Sequence, residues 1–257
     1  MQPIPHDQSL WIALLVGFAS GSIGPFILLK RMALVGDALS HVALPGIALS
    51  LLYGVDPFYG VVIFQVTAAF LIFWIEGRSD IPPDATVGLL FTASLAVGIL
   101  MIPSDEIIES LFGAFPVLRL PFLLGFLGAA AVLALFCFLL AKRFLFLIVS
   151  PDLANVNGVG RGHELALFVI FGMIVALGIK LVGTLLMGAL TIIPASIARN
   201  VTRGMREYVI VSSLLGGAIS VAGVWIAWTF RFLPGPSIIL LGVAIFLVSI
   251  ALRRKGQ

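Results

Sequence analysis

The sequence predicts an all-α, polytopic transmembrane helix bundle with about eight or nine spans, in one domain over residues 1–257. Three observations predict it. Hydrophobic residues make up 61% of the chain and charged residues 11%, against about 25% charged in soluble domains. The mean hydropathy is +1.19. The apolar residues fall in runs of about 20, the length that crosses a bilayer core. Inside lipid a helix satisfies its own backbone N–H and C=O groups, which the lipid cannot do.

The spans follow in order. Residues 11–29 form the first and end at Lys30 and Arg31; residues 32–53 form the second. The third is 58–75, before the polar "EGRSDIPPDA", and the fourth is 86–102, before the acidic "PSDEIIES". The fifth, 120–140, ends at Lys142 and Arg143, and "SPDLANVNGVGRGHE" then forms the longest polar stretch. The sixth and seventh are 165–179 and 181–198, with Lys180 at their junction. The eighth is 208–229 and the ninth 238–252, before "RRK". The segment "ESLFGAFPVL" is a candidate re-entrant or surface helix, which would leave eight spans.

Charge then orients the bundle. The formal net charge is +3, and such an excess in a membrane protein reports cytoplasmic Lys and Arg, not a nucleic-acid partner. With nine spans, Lys30/Arg31, Lys142/Arg143, Arg199, Arg203, Arg206 and the basic C-terminus share one side. The N-terminus and the loop of Asp105, Glu106 and Glu109 share the other, where Lys180 and Arg231 are the exceptions. The first nine residues contain no Lys or Arg, unlike the basic start of a cleaved signal peptide.

Several chemistries are excluded. Cys137 is the one cysteine, so no intrachain disulfide or thiolate cluster forms. No G-x-x-x-x-G-K-[ST], H-E-x-x-H or G-x-S-x-G motif occurs. If transport here uses ATP, a separate subunit binds it. Gly17 and Gly21 have the G-x-x-x-G spacing, read as close packing within the bundle before a dimerisation face.

The second span holds the polar exception, "GDALSHVALPG" from Gly36 to Gly46. Asp37 and His41 are four residues apart, about one helical turn, and so share a face. An ionised Asp near a bilayer centre costs about 2.5–3.5 kcal/mol. Ionisable groups there usually face the bundle interior or a wet cavity. Pro45 has no N–H and crowds the carbonyl of His41, four residues earlier. Two readings stay open. The pair either neutralises itself while joining helices, or presents carboxylate and imidazole to a Zn, Mn or Fe ion. One chain offers two such ligands; a two-fold homodimer facing itself across this helix offers four.

Two other stretches carry function candidates. In "SPDLANVNGVGRGHE", Pro151 and Asp152 mark a helix start, and Gly158 and Gly160 a stop. It is either a partner-docking helix or a plain connector. In "GTLLMGALTIIPASIARN", Pro194 frees the Leu190 carbonyl, while Thr191 and the glycines keep the helix narrow. That helix lines a pore or is closely packed.

The stretch "RMALVGDALSHVALPGIALS" resembles the signature of permease subunits of bacterial ABC importers for zinc, manganese and iron, in the pattern G-D-x-L-(S/A)-H-x-x-L-x-G. "GIKLVGTLLMGALTIIPASIAR" resembles that family's K-x-V-G-x-L-L-x-x-A-L-x-x-I-P-A block, and "LFGAFPVL" its L-F-G block. "SPDLANVNGV" resembles its cytoplasmic segment, with Ala154 two residues after Asp152 where the family has four. The resemblance implies a homodimer in the bacterial inner membrane, two ATPase subunits beneath and an extracytoplasmic metal-binding protein above. It implies that Asp37 and His41 coordinate the metal in transit; Ser40, Pro45, Thr191 and Pro194 are the candidate residues of the path around them. Asp152, Ala154 and Gly158 would contact the ATPase. It implies a transport subunit, not an enzyme, with no permanent cofactor. A metal-chelate permease and a stand-alone secondary transporter are the competing readings.

Overall fold

A computed structural model describes residues 6–78, 83–101, 111–112, 118–184 and 186–251. Ten helices account for most of them: α1 (His6–Leu29), α2 (Leu34–Leu52), α3 (Pro57–Glu76), α4 (Pro83–Met101), α5 (Leu120–Val149), α6 (Pro151–Val156), α7 (Arg161–Val182), α8 (Met187–Val201), α9 (Met205–Phe230) and α10 (Pro234–Ala251). Among the described residues, seven helices are long and apolar enough to cross a membrane: α1, α2, α3, α5, α7, α9 and α10. The expected eight or nine is not reached by that measure. The 15 residues of α8 rise about 22 Å at 1.5 Å each, short of a core of about 30 Å. α4 is 19 residues long, and Ala85–Gly98 is its apolar stretch among the residues whose side chains are described.

Helices α1, α2 and α7 bury most of their length, while α3, α5 and α10 leave most of theirs open. α1 packs on α9, α5 and α8; α2 packs on α3 and α4; α3 and α5 pack on α7. The centre is filled by Ile23, Phe26, Ile27, Phe168 and Phe171, with Phe144 edge-on to Phe26 at 5.5 Å.

Close helix crossings depend on glycine. A Cβ on Gly17 would strike the Gly216 carbonyl, and one on Gly21 would strike that of Ser212. The Gly17–Gly21 pair therefore joins α1 to α9 within the chain. Pro25 lies inside α1 and leaves the Gly21 carbonyl without its helical donor. Ser212 of α9 supplies a donor, its Oγ lying 2.6 Å from that oxygen. Ser212→Ala is expected to lower the thermal unfolding midpoint in detergent, by a loss of about 1 kcal/mol.

Boundaries differ from the sequence reading at two charged positions, and the seventh span begins at Met187 in α8, not at 181. Lys142 and Arg143 do not end the fifth helix; α5 continues to Val149. Lys and Arg are good helix formers, so leaving the lipid does not oblige the helix to stop. The break after the sixth span falls at Gly183, not Lys180. α7 runs through Lys180 to Val182, and Gly183 takes φ 83°, a conformation open to glycine. Lys180 instead approaches Asp56, at 3.9 Å, and the Phe58 ring, at 5.8 Å.

At the opposite end, Lys30 joins three helices. Its Nζ lies 2.9 Å from Glu76 Oε1 and 2.6 Å from Glu164 Oε1. Pro151 lines the same cavity as these residues, so α6 sits at this end of the bundle. Gly158 follows α6 with φ 75° and stops it as expected; Gly160 instead precedes α7 as its N-cap. The acidic residues 105–109, the basic C-terminus and most of "ESLFGAFPVL" lie outside the described residues.

Candidate functional site

Asp37 sits in the first turn of α2 and His41 one turn on. Both turn inward, onto different neighbours. The His41 ring is 5% exposed and meets Phe91 of α4 edge-on, with centroids 4.8 Å apart. Its Nδ1 is buried without a hydrogen-bond partner. Asp37 is half-buried, and its carboxylate lies against Gly188 in the first turn of α8, where a Cβ would strike Oδ1. The positive end of the α8 dipole thus lies beside the carboxylate, and α8 has no side-chain cap hydrogen bond there. Among the described residues no hydrogen bond or ion pair joins Asp37 to His41, or Asp37 to any other side chain.

The surrounding turn has altered backbone bonding. Helix α2 continues through Pro45, which offers no N–H to the His41 carbonyl. Ser40 Oγ donates back to the Gly36 carbonyl at 2.5 Å and lies 3.1 Å from that of Asp37. Gln65 of α3 is fully buried, and its Nε2 donates to the Leu39 carbonyl at 2.7 Å. Sequence reasoning missed Gln65 and Phe91, and read Gly188 as one of the small residues that keep its helix narrow, without its contact to Asp37. Gln65 had a signal, as a lone amide within an apolar span; the Phe91 and Gly188 contacts are legible only from which helices adjoin α2.

Ser40 and Thr191 are buried, and Thr191 Oγ1 leans toward its own helix at 3.5 Å from the Met187 carbonyl. A Cβ on Gly24 would strike the Thr191 carbonyl, so this part of α8 packs on α1. Pro194 is buried in the same helix. It is Gly188, one turn before Thr191, that touches Asp37.

In α6, Ala154 is fully buried while Asp152, Leu153 and Val156 are exposed. The displaced alanine thus seats this short helix on the bundle and leaves two apolar side chains outward. Among the described residues, no group of three or more His, Cys, Asp or Glu side chains is placed to hold a metal ion. One chain brings a carboxylate and an imidazole on one helix.

Known proteins are similar to this chain over nearly its whole length. The chain is 32% identical to the manganese import system permease protein ScaB of Streptococcus gordonii over 256 residues, covering 98% of this chain and 92% of that one. It is 28% identical to the manganese transport system membrane protein MntC of Listeria monocytogenes, covering 95% and 89%. The structure of PsaBC from Streptococcus pneumoniae in complex with Fab superposes with a TM-score of 0.83 at 32% identity, over 95% of this chain and 90% of that one. An inward-facing putative metal-chelate type ABC transporter shares the fold, with a TM-score of 0.76 at 18% identity. Residues 6–253 match the ABC 3 transport family, and this chain, a multi-pass protein of the bacterial inner membrane, belongs to it.

Proposed function

We propose that this chain is the membrane-spanning permease subunit of an ATP-driven importer, and that manganese is its cargo. The observation that carries the reading is a half-buried carboxylate and a buried imidazole one turn apart on one helix, not paired with each other. Carboxylate and imidazole both accept Mn(II), and Zn(II) or Fe(II) as well. The names of the relatives favour manganese among them.

Two ligands from one chain do not complete a site. A second copy, facing the first across α2, brings the side-chain ligands to four, and closed two-fold pairs are the commonest assembly. Asp37 and His41 hold the ion in transit; Ser40, Pro45, Thr191 and Pro194 shape the path around it. At the Lys30 end, taken as cytoplasmic from its charge, α6 meets an ATPase subunit through Leu153 and Val156. Asp152 and Gly158 begin and end that contact, and Ala154 anchors it to the bundle. An extracytoplasmic metal-binding protein delivers the ion on the other side. ATP binding and release move α6, the paired bundles rock, and the midplane site opens to one side at a time.

The test is metal uptake into vesicles that hold the permease, its ATPase and its binding protein, with manganese, zinc and iron compared. ATP-dependent manganese uptake is expected, with zinc and iron weaker. Uptake by this chain without nucleotide or partners would establish a secondary transporter instead. Chelated metal outcompeting the free ion would establish a chelate permease.

A further inference from the structure

We propose that Gln65 is a positioning residue for the Asp37–His41 site, holding the turn that carries both side chains at one rotation against α3. The inference rests on the function proposed above and adds a residue that the motif does not contain.

Gln65 is fully buried in an apolar span, where an amide is costly unless it is bonded. Its Nε2 donates to the carbonyl of Leu39 at 2.7 Å, and Leu39 lies between Asp37 and His41. Its Oε1 is buried with no partner. An apolar side chain would fill this space at less cost, so packing alone does not account for the amide.

Two restraints then set α2 against α3. The first is a close crossing of Gly46 and Gly60, where a Cβ on either would strike the carbonyl of the other. A crossing fixes separation at one point and leaves the helix free to roll and pivot there. The second restraint, Gln65 to Leu39, lies about 10 Å further along α2 and removes that freedom. From behind, a Cβ on Gly172 of α7 would sit 3.3 Å from the Gln65 carbonyl, so α7 closely backs this turn.

The restraint falls where α2 most needs one. Pro45 withdraws the donor of the His41 carbonyl, and an interrupted ladder is where helices bend. Among the described residues, Gln65 makes the one side-chain hydrogen bond from another helix onto this turn. Ligand atoms must hold their places within about 0.2 Å to keep a metal, so a small roll of α2 misplaces both.

The test compares Gln65→Met, which keeps length but cannot donate, with Ser212→Ala, which removes another buried interhelical bond, that of Ser212 to Gly21 at 2.6 Å. Both are read in the reconstituted three-part assembly, beside Asp37→Ala. Gln65→Met is expected to lower manganese ions carried per ATP hydrolysed about three- to tenfold. Ser212→Ala is expected to lower the thermal midpoint and leave ions per ATP unchanged. If Gln65→Met fails to insert, Gln65→Asn, one methylene short of the Leu39 carbonyl, carries the same expectation. Wild-type ions per ATP in the Gln65 variant, or an equal fall in the Ser212 variant, overturns the positioning role. Normal uptake by Asp37→Ala overturns the proposed function itself, which separates the two failures.

Discussion

Asp37→Ala and His41→Ala are each expected to abolish manganese uptake while the chain still inserts and binds its ATPase. The carboxylate and imidazole are the metal-ligating side chains that α2 offers. Supporting residues around metal ligands typically cost 10–100-fold in affinity when removed, so loss of a ligand should cost at least about a hundredfold. The fold should survive. Among the described residues, the Asp37 carboxylate anchors nothing through a hydrogen bond or ion pair, and His41 contributes an edge contact to Phe91. Uptake is measured in vesicles with the full assembly, and insertion by size-exclusion of the purified chain. Uptake at the normal rate in either variant would remove the metal-ligand role.

Gly188→Ala is expected to suppress uptake nearly as strongly, although alanine is the better helix former by about 0.5–1 kcal/mol. The added Cβ would fall on Asp37 Oδ1 and lie 2.9 Å from the Asp37 backbone nitrogen. The side chain can rotate away; the backbone cannot. Either the carboxylate leaves its place or α8 withdraws from α2, at about 1–3 kcal/mol. Alanine's helix propensity offsets part of that cost, so the fold loses up to about 2 kcal/mol while the site is displaced. A modestly lowered thermal midpoint with uptake reduced at least tenfold is the expected pair of readings. Normal uptake would mean that the α8 terminus has no part in the site.

The sequence alone determined that this chain crosses the membrane repeatedly, and that its second span carries an acid and an imidazole on one face. Both follow from local physics. Lipid forces apolar runs of this length into helices, and a four-residue spacing is about one turn. Lys180 shows where local reasoning stops. A charge inside an apolar run marked a boundary, yet α7 continues past it to Val182, with the ammonium near Asp56, the N-cap of α3, and the Phe58 ring. Gly17 and Gly21 were legible as packing residues, but their partner strip on α9 was not.

The tertiary structure decided what each inward-facing group meets. It set Asp37 on the first turn of α8, His41 on Phe91, and Gln65 on the Leu39 carbonyl. It also returned a donor from Ser212 to the carbonyl that Pro25 had left open. Helix formation depends on neighbours along the chain; these contacts depend on which helices adjoin. That choice is made by close glycine crossings and buried polar bonds between residues as much as 191 positions apart, a range over which no periodicity in the sequence carries information.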